Sequence, residues 1–129
     1  TTDLRKAVKA LGGADVMYDP VGGDQFAAAF RACNPDGRMI VIGFASGTVP
    51  PIAANHMMVK NITVQGVNWG GYMRFKPKVL TESLKILIDW YQAGRLKPHI
   101  SHILPFEQAA EGLDLLRTRK STGKVVITL

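Results

Sequence analysis

Gly37-Arg38-Met39-Ile40-Val41-Ile42-Gly43-Phe44-Ala45-Ser46-Gly47 is the stretch whose reading decides the fold. Its middle, Met39 to Ile42, is an unbroken apolar run. A strand covered on both faces has this pattern, because neither side meets water. In front of it, Asn34-Pro35-Asp36-Gly37 reads as a turn: proline presets φ, aspartate bonds its own backbone, and glycine allows positive φ. Behind it, Gly43 and Gly47 bracket a loop of small residues where backbone can come close to a ligand. Ligands of open parallel sheets sit just beyond the carboxyl ends of strands. This strand exit is therefore the first place to look for a site.

Upstream, Thr2 to Leu11 reads as a helix with Leu4, Val8 and Leu11 on one face, Thr2 or Asp3 as its cap and Gly12-Gly13 as its stop. Ala14 to Asp19 is a short strand closed by Pro20-Val21-Gly22-Gly23. Asp24 offers an N-cap to a helix over 25–32 whose apolar stripe is Phe26, Ala29 and Phe30. Helix, strand, helix, strand with short links is the alternation of a parallel sheet covered by helices. Asp19, at a strand end, is read as a turn-forming residue ahead of a catalytic one.

Downstream, Ala53 to Lys60 reads as one or two helical turns carrying Met57 and Met58, which fill core gaps in preference to walling a ligand site. Asn61 to Val67 alternates apolar and polar residues, as a half-exposed edge strand does, and an unpaired edge is a dimerisation candidate. Asn68-Trp69-Gly70-Gly71-Tyr72 is a loop whose two aromatics either flank a substrate pocket or cap the core. Pro77 to Ala93 is the longest helix, with Val79, Leu80, Leu84, Leu87, Ile88 and Tyr91 as its stripe and Gly94 as its stop. An extended segment follows over 98–105, then a helix over 107–116 with Ala110, Leu113 and Leu116 facing in. A turn and a strand over 121–129 close the chain.

At 129 residues and 47% hydrophobic content the chain can build one domain-sized core. No apolar run approaches the roughly 20 residues of a membrane span, and nothing in the opening residues suggests export, so a cytoplasmic setting is expected. The start at Thr1, running straight into helix-like sequence, suggests a chain cut from something longer. A single cysteine, Cys33, excludes an internal disulfide and reads as a small buried hydrophobe. The formal charge of +6 gathers in Arg74, Lys76 and Lys78 and in Arg117, Arg119, Lys120 and Lys124. Neither group is long or interleaved with aromatics, which argues solvated basic faces over nucleic-acid binding. An anionic small molecule fits the C-terminal group better. His99 and His102 point to opposite sides of an extended segment, and no HExxH or CxxC spacing occurs, so no metal site is expected. A GxSxG elbow and a complete GxGxxG are also lacking.

The stretches Ala14 to Gly23 and Gly37 to Gly47, with Gly94-Arg95-Leu96-Lys97-Pro98 and Arg119 to Val126, taken in this order and at these intervals, resemble the C-terminal portion of a medium-chain dehydrogenase/reductase. The type they resemble is the zinc-independent quinone oxidoreductase, or zeta-crystallin-like, branch. The resemblance covers essentially the whole chain. It implies an α/β fold: the second half of a Rossmann-like parallel sheet over 1–97, then a segment over 98–129 returning to a catalytic domain. It also implies NADPH as the cofactor, giving hydride to a quinone, enone or related carbonyl acceptor.

By that resemblance Ile42, Gly43 and Phe44 run beside the nicotinamide, Val21 and Gly22 lie next to the cofactor, and Arg119 matches a position near its phosphates. Trp69 and Tyr72 are the substrate-pocket candidates, no catalytic residue is assigned, and Asn61–Val67 pairs two subunits into a homodimer. The family's pyrophosphate-seating glycine turn precedes the matched region, so the 129 residues alone are expected to bind cofactor weakly and not to catalyse. The rival expectation is a non-catalytic interaction module working through the Asn61–Val67 edge.

Overall fold

A computed structural model describes residues 3–129. The chain divides into two compact units, Thr1–Lys76 and Pro77–Leu129, each described by itself.

In the first unit, α1 (Leu4–Ala10) is capped by Asp3, whose side chain accepts the Lys6 N–H at 3.1 Å. Thr2, the other cap candidate, lies outside the described residues. Next come β1 (Ala14–Asp19), α2 (Gly23–Ala32), β2 (Cys33–Val41), α3 (Ala54–Lys60), β3 (Thr63–Gly66) and α4 (Tyr72–Phe75). The three strands form one parallel sheet in the order β1-β2-β3. Each parallel step needs a crossover, which α2 and α3 supply. Met39 pairs with Met17 on one side and Val64 on the other, and is fully buried. The apolar run of the opening stretch is thus the central strand, and β1 and β3 are the edges.

The turn expected at Asn34–Gly37 is a bulge inside β2. Ala14 pairs with Cys33 but Val16 pairs with Arg38, so residues 34–37 on β2 stand opposite Asp15 alone. Asp36, not Gly37, takes the positive φ, at 58°. Glycine stands at 37 for space: a Cβ there would lie 2.5 Å from Cys33 Sγ and 2.8 Å from Asn34 O.

The start of α2 also differs from expectation. Gly22, with φ 74° and ψ −157°, is the N-cap, and Asp24 sits inside the first turn, where its charge suits the helix dipole. No side-chain cap bond forms at this end; the backbone at the cap and at the first helical residue is held by other parts of the chain. Gly22 N–H donates to the Asp19 carboxylate and Gly23 N–H to Thr48 O at 3.0 Å. At the other end of the helix, Lys60 Nζ donates to the carbonyls of Arg31 (3.1 Å) and Cys33 (2.7 Å).

Phe26, Phe30, Cys33, Met39 and Ile62 form the core, with Met17, Ala29, Met57 and Val64 packed around it. Phe26 and Phe30 stack at 5.6 Å between centroids. The methionine pair divides: Met57 packs on the core, while Met58 is 72% exposed.

The second unit holds α5 (Pro77–Gln92), β4 (Ile100–Pro105), a 3-10 turn at Phe106–Gln108, α6 (Ala109–Arg117) and β5 (Lys124–Thr128). Strands β4 and β5 pair in parallel, with α6 as the crossover. The expected inward stripe of Ala110, Leu113 and Leu116 is displaced by one position. All three are exposed, Gly112 is buried, and Ala109 and Leu115 are half-buried. The cause is close packing: a Cβ on Gly112 would come within 3.1–3.4 Å of Ile127, Val125 and Leu104. Helix and sheet meet at the one residue without a side chain. On α5, Leu80 is the buried residue, and the rest of the expected stripe is exposed. Among the described residues no helix is long and apolar enough to cross a membrane.

Candidate functional site

The site is built where the β1 and β2 exits are tied together. Asp19, at the end of β1, is a buried carboxylate that accepts Val21 N–H at 2.9 Å and Gly22 N–H at 3.1 Å. These bonds fold the turn after β1 back on itself, the structural role expected of this aspartate. The turn then holds the loop after β2. Ile42 N–H donates to Asp19 O at 2.8 Å, Ala45 N–H to Pro20 O at 3.1 Å, and Ser46 N–H to Val21 O at 2.9 Å. On the other side Val67 N–H donates to Val41 O at 2.9 Å, tying the exit of β3 to that of β2. Three strand ends therefore share one hydrogen-bonded rim.

A cavity of about 630 Å³ opens at this rim, within the first unit. Ile42, Gly43 and Phe44 line it from the β2 loop, Gly66 and Asn68 from the β3 exit, and Tyr72 and Phe75 from α4. A Cβ on Gly66 would meet nothing within 4 Å, so the space beside that backbone is open. At Gly22 the opposite holds. A Cβ there would stand 2.8 Å from Thr48 O and 2.9 Å from Phe44 Cδ1, so this glycine lets the turn press against the Phe44 loop.

Of the candidates named from sequence, Ile42, Gly43, Phe44 and Tyr72 come together around the cavity. Val21 and Gly22 support the loop from behind through the contacts above. Trp69 is on the same connection but not in the lining; its carbonyl accepts Tyr72 N–H at 3.2 Å, and the residue is 44% exposed. Arg119 belongs to the second unit, where it follows α6, is exposed and has φ 57°. Asn68, Gly66 and Phe75 were missed. The usable signal was the rule that neighbouring parallel strands end on the same side, which makes the exit of β3 part of any site at the exit of β2.

Nucleophile chemistry finds little support in the core. Cys33 is fully buried, and burial pushes its thiol up, against the downward pull of the Lys60 ammonium. Native protein at neutral pH is therefore expected to resist iodoacetamide, with alkylation following global unfolding. Rapid modification of the folded chain, read by mass spectrometry, would contradict the closed core.

Comparisons with known proteins give the family and the fold. A family model described as "Zinc-binding dehydrogenase" matches residues 1–127. "Quinone oxidoreductase-like protein 2" of Bos taurus is 38% identical over 129 residues, covering 98% of this chain but 37% of that protein. The chain thus spans little more than a third of that relative's length. Among solved structures, the Thermus thermophilus quinone oxidoreductase, also solved in complex with NADPH, matches with a TM-score of 0.74 at 29% identity, over 96% of this chain and 40% of its own. An NAD-dependent alcohol dehydrogenase matches with a TM-score of 0.75 at 28% identity, over 100% of this chain and 36% of its own. The parallel α/β units and the family match agree, and the chain belongs to the zinc-binding dehydrogenase family of the medium-chain dehydrogenase/reductase superfamily, matching a C-terminal portion of such oxidoreductases.

Proposed function

We propose that the chain forms part of an NADPH-dependent oxidoreductase that reduces a quinone, enone or related carbonyl acceptor, with the nicotinamide seated in the cavity at the ends of β2 and β3. The observation that carries this reading is the meeting of Ile42, Gly43 and Phe44 with Tyr72 around one open space of about 630 Å³. Cavities of about 300–1,000 Å³ hold small ligands. The residues present fit the nicotinamide end of the cofactor. Gly43 and Gly66 offer bare backbone for a carboxamide, and Phe44 offers an apolar ring face. The bound cofactor would supply the hydride. The chain's own part is to bind and orient it, with Val21 and Gly22 holding the loop and Arg119 serving its phosphates through a forked guanidinium.

The same reading assigns 1–97 to a partial dinucleotide-binding domain and 98–129 to a segment returning to a catalytic domain. The 129 residues contain no complete GxGxxG to seat a pyrophosphate, so alone they are assigned weak cofactor binding and no turnover. The exposed Thr63, Gln65 and Gly66 of the edge strand β3 favour pairing of two copies along Asn61–Val67. A cytoplasmic setting agrees with an unpaired cysteine.

Zinc, which the family description names, is not fitted by these residues. Among the described residues no group of three or more His, Cys, Asp or Glu side chains comes together to hold a metal ion. Cys33 is enclosed in the core, and His99 is engaged with Thr122 Oγ1 at 3.1 Å. No step is assigned to a metal.

The test is NADPH consumption in the presence of a quinone, for this chain and for the chain extended at its N-terminus by a complete βαβ unit and a catalytic domain from a relative. Turnover by the extended form, abolished or strongly reduced when Gly43 is replaced by valine, is the expected result. No turnover with any quinone or enone, by a folded extended form, would overturn the reading.

A further inference from the structure

A second cavity in the first unit, of about 300 Å³, lies between α2 and the chain at 48–51. It shares no lining residue with the cavity at the strand ends. Most of its lining is apolar, with Phe26, Ala27 and Phe30 on the helix and Pro50 and Pro51 on the facing chain. That facing chain is a fixed strap. Gly23 N–H donates to Thr48 O at 3.0 Å and Thr48 N–H donates to Ser46 Oγ at 3.2 Å. Beyond them the two prolines hold φ by their rings. A groove already formed costs a ligand little ordering of the protein.

Opposite charges border this groove. Asp24 lies in the first turn of α2 and Arg31 in its last. Positions 24, 27 and 31 share one helix face, so Ala27 stands between the two charges. The helix rises about 10 Å from Asp24 to Arg31. Both are exposed, and among the described residues neither has an ion-pair partner. Proline has no N–H, so Pro50 and Pro51 give a ligand no donor, and directional recognition falls to the charged ends.

We propose that this groove is a binding site for an elongated zwitterion. An ammonium group meets the Asp24 carboxylate, a carboxylate meets the Arg31 guanidinium, and an unbranched methylene span lies between them against Ala27 and the prolines. The forked guanidinium suits a carboxylate, and methylenes lose nothing against walls that lack donors. ω-Aminooctanoate has the matching reach, about 10 Å between its charged ends when extended. A peptide of the same span fits less well, because its inner carbonyls would lie against prolines that cannot donate. The site is independent of the reductase reading.

The test is titration of ω-aminooctanoate into the isotope-labelled chain, followed by amide shifts in two-dimensional NMR. Saturable shifts are expected, gathered at Ala27, Arg31 and Thr48. ω-Aminobutyrate, too short to touch both ends, is expected to bind at least about tenfold more weakly, since it buries fewer methylenes. Trialanine is also expected to bind more weakly. Two neutral-ended forms separate the charges: ω-aminooctanamide keeps the ammonium, and N-acetyl-ω-aminooctanoate keeps the carboxylate. Asp24→Asn is expected to weaken ω-aminooctanoate about two- to fivefold, the size of one exposed ion pair, and to leave the acetylated form unchanged. Arg31→Gln is expected to weaken ω-aminooctanoate by the same factor and to leave the amide form unchanged.

Both side chains are exposed, so the variants are expected to keep the far-UV circular dichroism of the parent. Should a variant fail to fold, the parent alone decides, because each neutral-ended form is expected to bind it more weakly than the zwitterion. No saturable binding by the parent, equal affinity for ω-aminobutyrate, tighter binding of trialanine, or a neutral-ended form binding as well as the zwitterion would each overturn the proposal. So would shifts gathered at Ile42, Gly43 and Phe44 in place of Ala27.

Discussion

Replacing Phe26 by alanine is expected to lower the stability of the first unit by about 3–5 kcal/mol, the range for a phenylalanine removed from a packed core. The ring is 1% exposed and stacks on Phe30 at 5.6 Å, in a cluster closed by Cys33, Met39 and Ile62. These neighbours come from α2, from β2 and from the chain entering β3, so no single element can move in to refill the space without breaking a register. A domain with a net stability of roughly 5–15 kcal/mol has little room for such a loss. Urea unfolding followed by circular dichroism should show the midpoint falling sharply with the slope little changed. Met58→Ala is the control: its side chain is 72% exposed, and its effect should stay within about 0.5 kcal/mol. A Phe26 variant as stable as the Met58 variant would mean the helix does not pack on the sheet through this face.

Gly22→Ala is expected to cost about 2–4 kcal/mol and to disturb the cavity as well. Two separate penalties act. The backbone at φ 74° and ψ −157° lies in a region that only glycine enters freely, at a cost of about 1–3 kcal/mol for other residues. The new Cβ would also overlap Thr48 O and Phe44 Cδ1, at 2.8 and 2.9 Å. The backbone oxygen cannot yield cheaply, so Phe44 and its loop must. If Phe44 borders the nicotinamide as proposed, an extended, cofactor-competent chain should lose NADPH affinity beyond its loss of stability. Gly47→Ala separates strain from crowding, since it shares a positive φ of 80° but a Cβ there meets nothing within 4 Å. Its cost should be the smaller, and cofactor affinity should survive. Equal effects at the two glycines would show that the close approach at Gly22 carries no weight.

How much of this was legible before the structure varies with the kind of signal. The central strand was clear from Met39–Ile42, an unbroken apolar run set between turn residues and glycines, as a strand covered on both faces requires. The alternation around it, Ala14–Asp19 and the helix through Phe26 and Phe30, was clear from periodicity. What failed was everything set by close packing. The turn at Asn34–Gly37 carries turn residues, yet they serve a bulge, because its neighbours pair with β1 on both sides. Asp24 has the chemistry of a cap, but the turn after β1, held by the Asp19 carboxylate, puts Gly22 at the cap position and Asp24 inside the first turn. The face of α6 was misjudged by one residue because hydrophobic patterning seeks large side chains, and here the contact is made at Gly112.

At the site, Ile42, Gly43 and Phe44 were legible as a strand exit, and the family resemblance gave them a role. Asn68 and Phe75 were not, since their membership depends on β3 lying beside β2 and on the short helix α4 turning Phe75 back toward the strand ends. Trp69 drew attention by its size, yet the lining of the cavity falls to its smaller neighbours.

The most direct test is calorimetric titration of NADPH into this chain and into the chain extended at its N-terminus by a complete βαβ unit with its glycine-rich turn. Weak or undetectable binding is expected from the chain alone, and saturable one-to-one binding from the extended form. Ile42, Gly43 and Phe44 would then provide the nicotinamide end of a site whose phosphate end lies in the added unit. No binding by a folded extended form would contradict the cofactor reading, and the edge strand Asn61–Val67 would become the leading functional surface.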